Sequence, residues 1–127
     1  MSDRVTTDAA PRALGPYAQA VVAGDLVFCS GQVGIDPASG ALVSGGIVAE
    51  TDRVIANLAA VLGAAGLSLA DVVKTTVYLV DLGEFRVMNE VYGRHFRAPH
   101  PARATVQVAA LPAGARVEIE AVARAGR

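Results

Sequence analysis

The fold is decided by residues 101–123, PARATVQVAALPAGARVEIEAVA. Apolar residues recur at every second position on both sides of the Leu-Pro-Ala-Gly segment at 111–114, a period typical of β-strands. The pattern predicts a β-hairpin with one polar face. The residues expected on that face are Arg103, Thr105, Gln107, Glu118 and Glu120. Such a face either meets water or builds a site.

The spacing of Arg103 and Glu118 bears on that choice. A four-residue loop at 111–114 would place Gln107 opposite Glu118 and Arg103 opposite Val122. Arg103 and Glu118 would then be four positions apart, roughly 13 Å along a strand that rises about 3.3 Å per residue. We therefore predict no direct ion pair between them within one chain, and each faces a ligand or a neighbouring subunit. The plain alternative is that both are solvated surface charges.

Composition narrows the class of protein. The 127 residues suit a single domain, 1–127. The net charge of −1 offers no basic stripe for nucleic acid and no polybasic membrane anchor. An apolar fraction of 53% against 18% charged residues predicts that part of the apolar surface lies between subunits. A simple bias towards alanine and valine is the alternative.

Targeting signals and cysteine usage favour a cytosolic location. The first ten residues, MSDRVTTDAA, carry charge and lack the apolar centre of a signal peptide. The uncharged run at 54–70 contains Asn57, two glycines and Ser68, so it predicts an ordinary helix and not a membrane span. Cys29 is the single cysteine, which rules out an intrachain disulfide, and its apolar neighbours predict a small buried side chain.

Hydrophobic periodicity and turn residues predict the remaining elements. These are strands at 17–23, 26–34 and 72–80, a short strand at 41–43, and helices at 47–65 and 85–96. Gly66 is expected to end the first helix in a left-handed conformation. The sum is an α+β domain with a mixed β-sheet and two helices packed on one face. The other face then needs cover, and a partner sheet is the natural solution.

Several separate motifs carry a family resemblance. They are Gly15-Pro16-Tyr17, Ser30-Gly31-Gln32, Val73-Lys74-Thr75-Thr76-Val77-Tyr78, Asn89-Glu90-Val91-Tyr92 and the segment at 101–123. Together, and in this order, they closely resemble the reactive intermediate deaminase family, also called the YjgF family. The resemblance implies a chorismate-mutase-like fold that assembles as a homotrimer, with a cleft between each pair of subunits.

The resemblance also implies an activity, the hydrolysis of 2-imino acids and their enamine tautomers to 2-oxo acids and ammonia. The substrates would be 2-iminopropanoate and 2-iminobutanoate, and neither a metal nor a cofactor is needed. A protonated imine is already electrophilic, so the protein has to hold the carboxylate, desolvate the site and place one water. Arg103 offers a planar fork for the carboxylate. Glu118 could deprotonate the water and later help ammonia to leave.

Further site residues follow from the resemblance, position by position. Tyr17 would wall the pocket, Ser30 and Gly31 would lie beside the substrate, Asn89 would line the cleft, and Thr105 would present backbone groups. Each of them also has an ordinary structural interpretation, such as a strand bulge at Ser30-Gly31. Many family members have cysteine where this chain has Thr105, so no mechanism here can require a thiol at that position. His95 and His100 are expected to be structural or surface residues, with His100 at the rim of the cleft.

Other functions make different demands on the chain. The same cleft could bind small carboxylates such as 2-oxo acids without turnover, as a metabolite sensor. A ribonuclease or translation inhibitor is disfavoured because no basic patch is present. A nucleophilic hydrolase would need a Gly-x-Ser-x-Gly elbow, which the sequence lacks. A zinc site is disfavoured because the sequence has only two histidines, in dissimilar positions, and one cysteine.

Overall fold

The computed structural model describes residues 3–125, which form a six-stranded sheet and two α-helices. The strands are β1 (Arg4–Val5), β2 (Ala20–Ala23), β3 (Leu26–Val33), β4 (Val72–Leu79), β5 (Ala102–Gln107) and β6 (Val117–Arg124). The helices are α1 (Gly46–Ala64) and α2 (Phe85–His95). One short 3₁₀ turn precedes each of β4, α2 and β6.

Most of the predicted elements are present, with shifted bounds. The strand expected to begin at residue 17 begins at Ala20, so Tyr17 lies in the preceding loop. The short strand expected at 41–43 is reduced to an isolated pairing between Ile35 and Leu42. The helix end is confirmed: Gly66 has φ +77°, and the N–H of Leu67 donates to the Leu62 carbonyl at 2.9 Å, as in a Schellman motif.

The strand order is β1-β2-β3-β6-β4-β5, with β4 and β5 parallel and every other pair antiparallel. The predicted mixed sheet is confirmed, but the predicted hairpin is wrong because β4 lies between β5 and β6. The physical reason is that β4, α2 and β5 form a crossover unit, which makes β4 and β5 parallel neighbours. The connection at 108–116 then passes the end of β4, where Val108 donates to Leu79 and Val80 donates to Arg116. Alternation of residues predicted the strands correctly but carried no information about their partners.

The two helices pack on one face of the sheet, as predicted. Alternate residues of β6 point into this layer and are buried: Val117, Ile119, Ala121 and Ala123. The apolar stripe of α1 covers them with Val54, Ile55, Leu58, Val61 and Leu62, each fully buried. The hydrophobic core therefore lies between α1, α2 and the central strands.

No helix of the described part of the chain covers the opposite face of the sheet, which we call the open face. It carries Phe28, Val106, Glu118, Glu120 and Val122, as the pairing register dictates. Phe28 is 46% exposed and Val106 is 41% exposed, so apolar area on this face meets solvent in the single chain. Within residues 3–125, no helix is long and apolar enough to cross a membrane.

Candidate active site

Arg103 lies on the helix side of the sheet, on the edge strand β5. It pairs with Thr75 of β4, and paired residues project to the same side of a sheet. Thr75 is fully buried beneath α2, where its hydroxyl is 2.7 Å from the Tyr92 hydroxyl. The guanidinium carbon of Arg103 is 4.8 Å from the ring centroid of Tyr92 and 5.5 Å from that of Phe85. No ion pair joins Arg103 to a carboxylate anywhere in residues 3–125.

A cavity of about 290 Å³ opens beside this arginine. Its lining residues are Asn89, Tyr92, Gly93, His100, Pro101 and Arg103. The structure thus brings Arg103 together with Asn89, which the family resemblance assigned to the cleft, and His100 lines the same cavity. We call this group the arginine half-site. It offers a cation, an amide and aromatic walls, which is a suitable set for a small organic anion.

Glu118 lies on the open face, where it pairs with Tyr78 of β4 and Val33 of β3. Burial raises the pKa of its carboxyl, and the neighbouring charge of Glu120 raises it further. Glu120 in turn accepts a hydrogen bond of 2.9 Å from the Tyr78 hydroxyl. A carboxyl with a raised pKa is a better general base near neutral pH than an ordinary glutamate.

Gly31 fits closely against Glu118. The pairing of β3 with β6 steps from Cys29–Ala121 to Gln32–Ile119, so β3 contains one extra residue, a β-bulge. A Cβ atom at position 31 would collide with a carboxylate oxygen of Glu118 and lie 2.8 Å from its Cδ. Only glycine therefore leaves this carboxylate undisturbed.

Tyr17 and Ser30 lie close to this glycine. Tyr17 and Gly31 both line a second cavity of about 250 Å³, and the Tyr17 side chain is 55% exposed. The Ser30 hydroxyl donates to the Ala18 carbonyl at 2.6 Å, and its N–H donates to Gln19 at 3.0 Å. Ser30 thus ties the loop that carries Tyr17 to β3. We call Tyr17, Ser30, Gly31 and Glu118 the glutamate half-site.

Thr105 pairs with Val77, two residues beyond Arg103 on the same side of β5. Its hydroxyl oxygen is buried and has no hydrogen-bond partner among the described residues. The contribution that the sequence predicted for Thr105 was through its backbone. The unpaired hydroxyl is an additional polar group on the same side of β5 as Arg103.

The two half-sites lie on opposite faces of the sheet. Arg103 pairs with Thr75 and Glu118 pairs with Tyr78, and positions three apart on a regular strand point in opposite directions. The predicted polar face that carries both charges is therefore wrong, because the predicted hairpin does not exist. The predicted absence of a direct ion pair between them within one chain agrees with this geometry. A single chain cannot present Arg103 and Glu118 to one small ligand.

Sequence reasoning missed the aromatic neighbours of Arg103. Phe85 and Tyr92 lie three residues before and four residues after Met88, a helical spacing that predicted only the apolar face of an amphipathic helix. The signal that could have identified them was the placement of α2 between two parallel strands, which lays the helix across β5.

The histidine and the cysteine that the sequence assigned to structural roles lie outside the two half-sites. His95 forms a hydrogen bond of 2.8 Å with Asp52 of α1, as expected for a structural residue. Cys29 is buried, as predicted, and burial raises the pKa of its thiol to about 11, which disfavours the thiolate form near neutral pH.

The described residues contain no group of three or more histidine, cysteine, aspartate or glutamate side chains placed to hold a metal ion. The side chains of the two half-sites themselves offer an arginine, a carboxyl of raised pKa, an amide and a phenol. This set can hold an anion and transfer protons to and from a water.

Comparison with known proteins identifies the family to which this chain belongs. Residues 7–125 match the family described as Endoribonuclease L-PSP, and the chain belongs to that family. Its fold, a mixed sheet with both helices on one face, is shared by solved members.

Several individual proteins resemble this chain in sequence over nearly its whole length. The human 2-iminobutanoate/2-iminopropanoate deaminase is 50% identical over 122 residues, which cover 96% of this chain and 89% of that protein. RidA from an Antarctic Psychrobacter is 49% identical with a TM-score of 0.91, covering 94% of this chain and 97% of that one. TdcF from E. coli, solved with bound serine, is 40% identical with a TM-score of 0.93, covering 97% and 98%.

Proposed function

We propose that this chain is a hydrolase that converts 2-imino acids and their enamine tautomers to 2-oxo acids and ammonia. Its substrates are 2-iminopropanoate and 2-iminobutanoate. The observation that carries the proposal is Arg103, a guanidinium beside a cavity with no carboxylate partner in the described chain. The named activity of the human relative, at half identity over nearly the whole chain, supports the same reaction.

The reaction needs one water and no redox step. Arg103 binds the substrate carboxylate through two parallel N–H···O bonds, and Asn89 lines the same pocket. Glu118 accepts a proton from the water as the water oxygen bonds to the carbon of the protonated imine, which gives a tetrahedral amino alcohol. Glu118 then returns that proton to the nitrogen, and the carbon–nitrogen bond breaks as the hydroxyl oxygen becomes the carbonyl oxygen and gives its own proton to Glu118. The 2-oxo acid and ammonia leave.

The reaction also requires both half-sites to meet, so the proposal includes an assembly. Three copies pack through their open faces as a homotrimer, and each cleft joins the arginine half-site of one subunit to the glutamate half-site of the next. Exposed Phe28 and Val106 supply the apolar area for such contacts. Tyr17, Ser30 and Gly31 then close the pocket from the glutamate side. The cytosolic location stays a prediction from the sequence.

The test generates 2-iminopropanoate in situ with an amino-acid oxidase and traps it with semicarbazide. The wild-type protein should lower semicarbazone formation, and Arg103→Ala should lose this effect while its unfolding temperature and oligomeric state stay unchanged. Arg103→Lys should recover little, because lysine lacks the planar fork. Arg94→Ala, an exposed arginine on α2, is the matched control and should behave as wild type.

Three results would contradict the proposal. Equal activity of Arg103→Ala and wild type would remove Arg103 from the site. An unfolded Arg103→Ala variant would make this residue structural. A wild-type protein that binds 2-oxo acids in calorimetry but leaves semicarbazone formation unchanged would be a carboxylate sensor.

A further inference from the structure

We propose that Tyr92 and Phe85 are positioning residues that hold the Arg103 guanidinium ready for a substrate carboxylate. The inference rests on the proposed function only in naming the carboxylate as the ligand. Neither aromatic residue reacts; each acts through Arg103. We call the two rings the aromatic clamp.

The clamp is defined by its distances to the guanidinium. The Arg103 guanidinium carbon is 4.8 Å from the Tyr92 ring centroid and 5.5 Å from the Phe85 centroid, both within the range of a cation–π contact. Tyr92 is itself buried among core residues, whereas Phe85 is 36% exposed. One ring is therefore fixed by the core, and the other closes over the cation from the solvent side.

Two contacts keep the Tyr92 ring in place. Its hydroxyl shares a hydrogen bond of 2.7 Å with Thr75, the residue that pairs with Arg103 across the strands. Its ring stacks on Phe96 with centroids 4.4 Å apart. Contacts thus connect Thr75 of β4, through Tyr92 of α2, to Arg103 on the edge strand β5.

Aromatic rings suit this task because they attract a cation without neutralising it. An arginine on an edge strand loses considerable side-chain entropy when it is ordered by a ligand. A carboxylate partner from the protein would order it too, but would compete with the substrate for the same N–H donors. Ring faces contact the flat surface of the guanidinium and leave its edge donors available for a bidentate carboxylate.

The leading variant is Phe85→Leu, which removes the exposed ring while keeping an apolar side chain. We expect KM for 2-iminopropanoate and Kd for pyruvate to rise about threefold, as for loss of one partly exposed cation–π contact. The kcat should stay within about a factor of two, because the reacting groups are untouched. Affinity for 2-oxopropanamide, which lacks the charged carboxylate, should not change.

Tyr92→Phe is the matched comparison, because it removes the hydroxyl but keeps the ring. Its Kd for pyruvate should lie closer to wild type than that of Phe85→Leu. NMR relaxation of the Arg103 Nε–H group gives a readout that needs no activity. This group should be rigid in the wild type and more mobile in Phe85→Leu.

Unchanged pyruvate affinity and unchanged Arg103 mobility in a folded Phe85→Leu protein would overturn the clamp. A fall in kcat with KM unchanged would also overturn it, since that pattern belongs to a group acting in the chemical step. Failure of the proposed function would look different: the wild type would not hydrolyse imines, while the Arg103 mobility would still depend on Phe85.

Discussion

At the scale of single residues, the ionisation of Glu118 should set the acid side of the pH–activity profile. Burial and the Glu120 charge raise the pKa of Glu118, so the active carboxylate is lost as the pH falls through a value above that of an ordinary glutamate. Glu120→Gln removes the repelling charge, so the acid limb of kcat/KM should move to lower pH. Measurement of kcat/KM from about pH 4 to about pH 8 for both proteins checks this.

The control for that experiment is Glu118→Gln, which should be inactive across the range. A Glu120→Gln profile that coincides with wild type would show that the limb belongs to another group. A shift to higher pH would contradict the assigned cause directly, because removing a neighbouring negative charge cannot raise the pKa of a carboxyl.

The residue pattern singled out Arg103 and Glu118 and the family resemblance supplied the other candidate site residues, but neither indicated that the candidate site is divided into halves. Arg103 and Glu118 were identifiable because a cation and carboxylates within alternating strands are unusual in a chain with 18% charged residues. Their placement on opposite faces depends on β4 lying between β5 and β6. Long-range packing and the paths of the loops set that strand order, and a local sequence pattern carries no information about either.

At the scale of elements, the bulge in β3 places Gly31 against the Glu118 carboxylate of the glutamate half-site. We expect Gly31→Ala to abolish or strongly reduce imine hydrolysis, because the new methyl group would displace the Glu118 carboxylate. The fold should survive, since the displaced atoms are the far end of a flexible side chain. Activity and thermal unfolding, measured together, separate the two effects.

Gly63→Ala supplies the comparison at a glycine with free space around it. Position 63 lies in α1, and a methyl group added there would meet no atom within 4 Å beyond its own helix backbone and its chain neighbours, so alanine fits. Helix propensity predicts a gain of about 0.5 to 1 kcal/mol and unchanged activity. If Gly31→Ala were as active as Gly63→Ala, the tight contact with Glu118 would have no role in catalysis.

Helices and strands were predictable from the sequence where local residue spacing and turn residues determine them, and less predictable where tertiary packing determines which face is buried. The 3.6-residue period and Gly66 predicted α1 to within one residue at each end. The strand β5 is the instructive failure. Alternation correctly predicted that its apolar and polar residues lie on different faces, but it did not predict that apolar residues, including Val106, lie on the open face and polar residues on the helix side of the sheet. An edge strand can carry that inverted pattern where its helix side lines a candidate site.

At the scale of the whole molecule, the two half-sites and the open face support the same proposed assembly. Arg103 and Glu118 lie on opposite faces of one sheet, so the proposed site needs a second copy to bring Glu118 to the arginine pocket. Phe28 and Val106 leave apolar area on the face that carries Glu118, where subunit contact would exclude water. Contact there would also deepen the burial that raises the pKa of Glu118.

Complementation between two inactive variants tests this division of labour. Arg103→Ala and Glu118→Gln subunits, co-expressed with different affinity tags, should form mixed trimers in which one junction joins an intact Arg103 to an intact Glu118. In every mixed trimer one of the three junctions is intact, so mixed trimers purified through both tags should recover about a third of wild-type activity. Each variant expressed alone stays inactive. Purified mixed trimers without activity would mean that both residues of a working site come from one chain, against the placement of Arg103 and Glu118 on opposite faces.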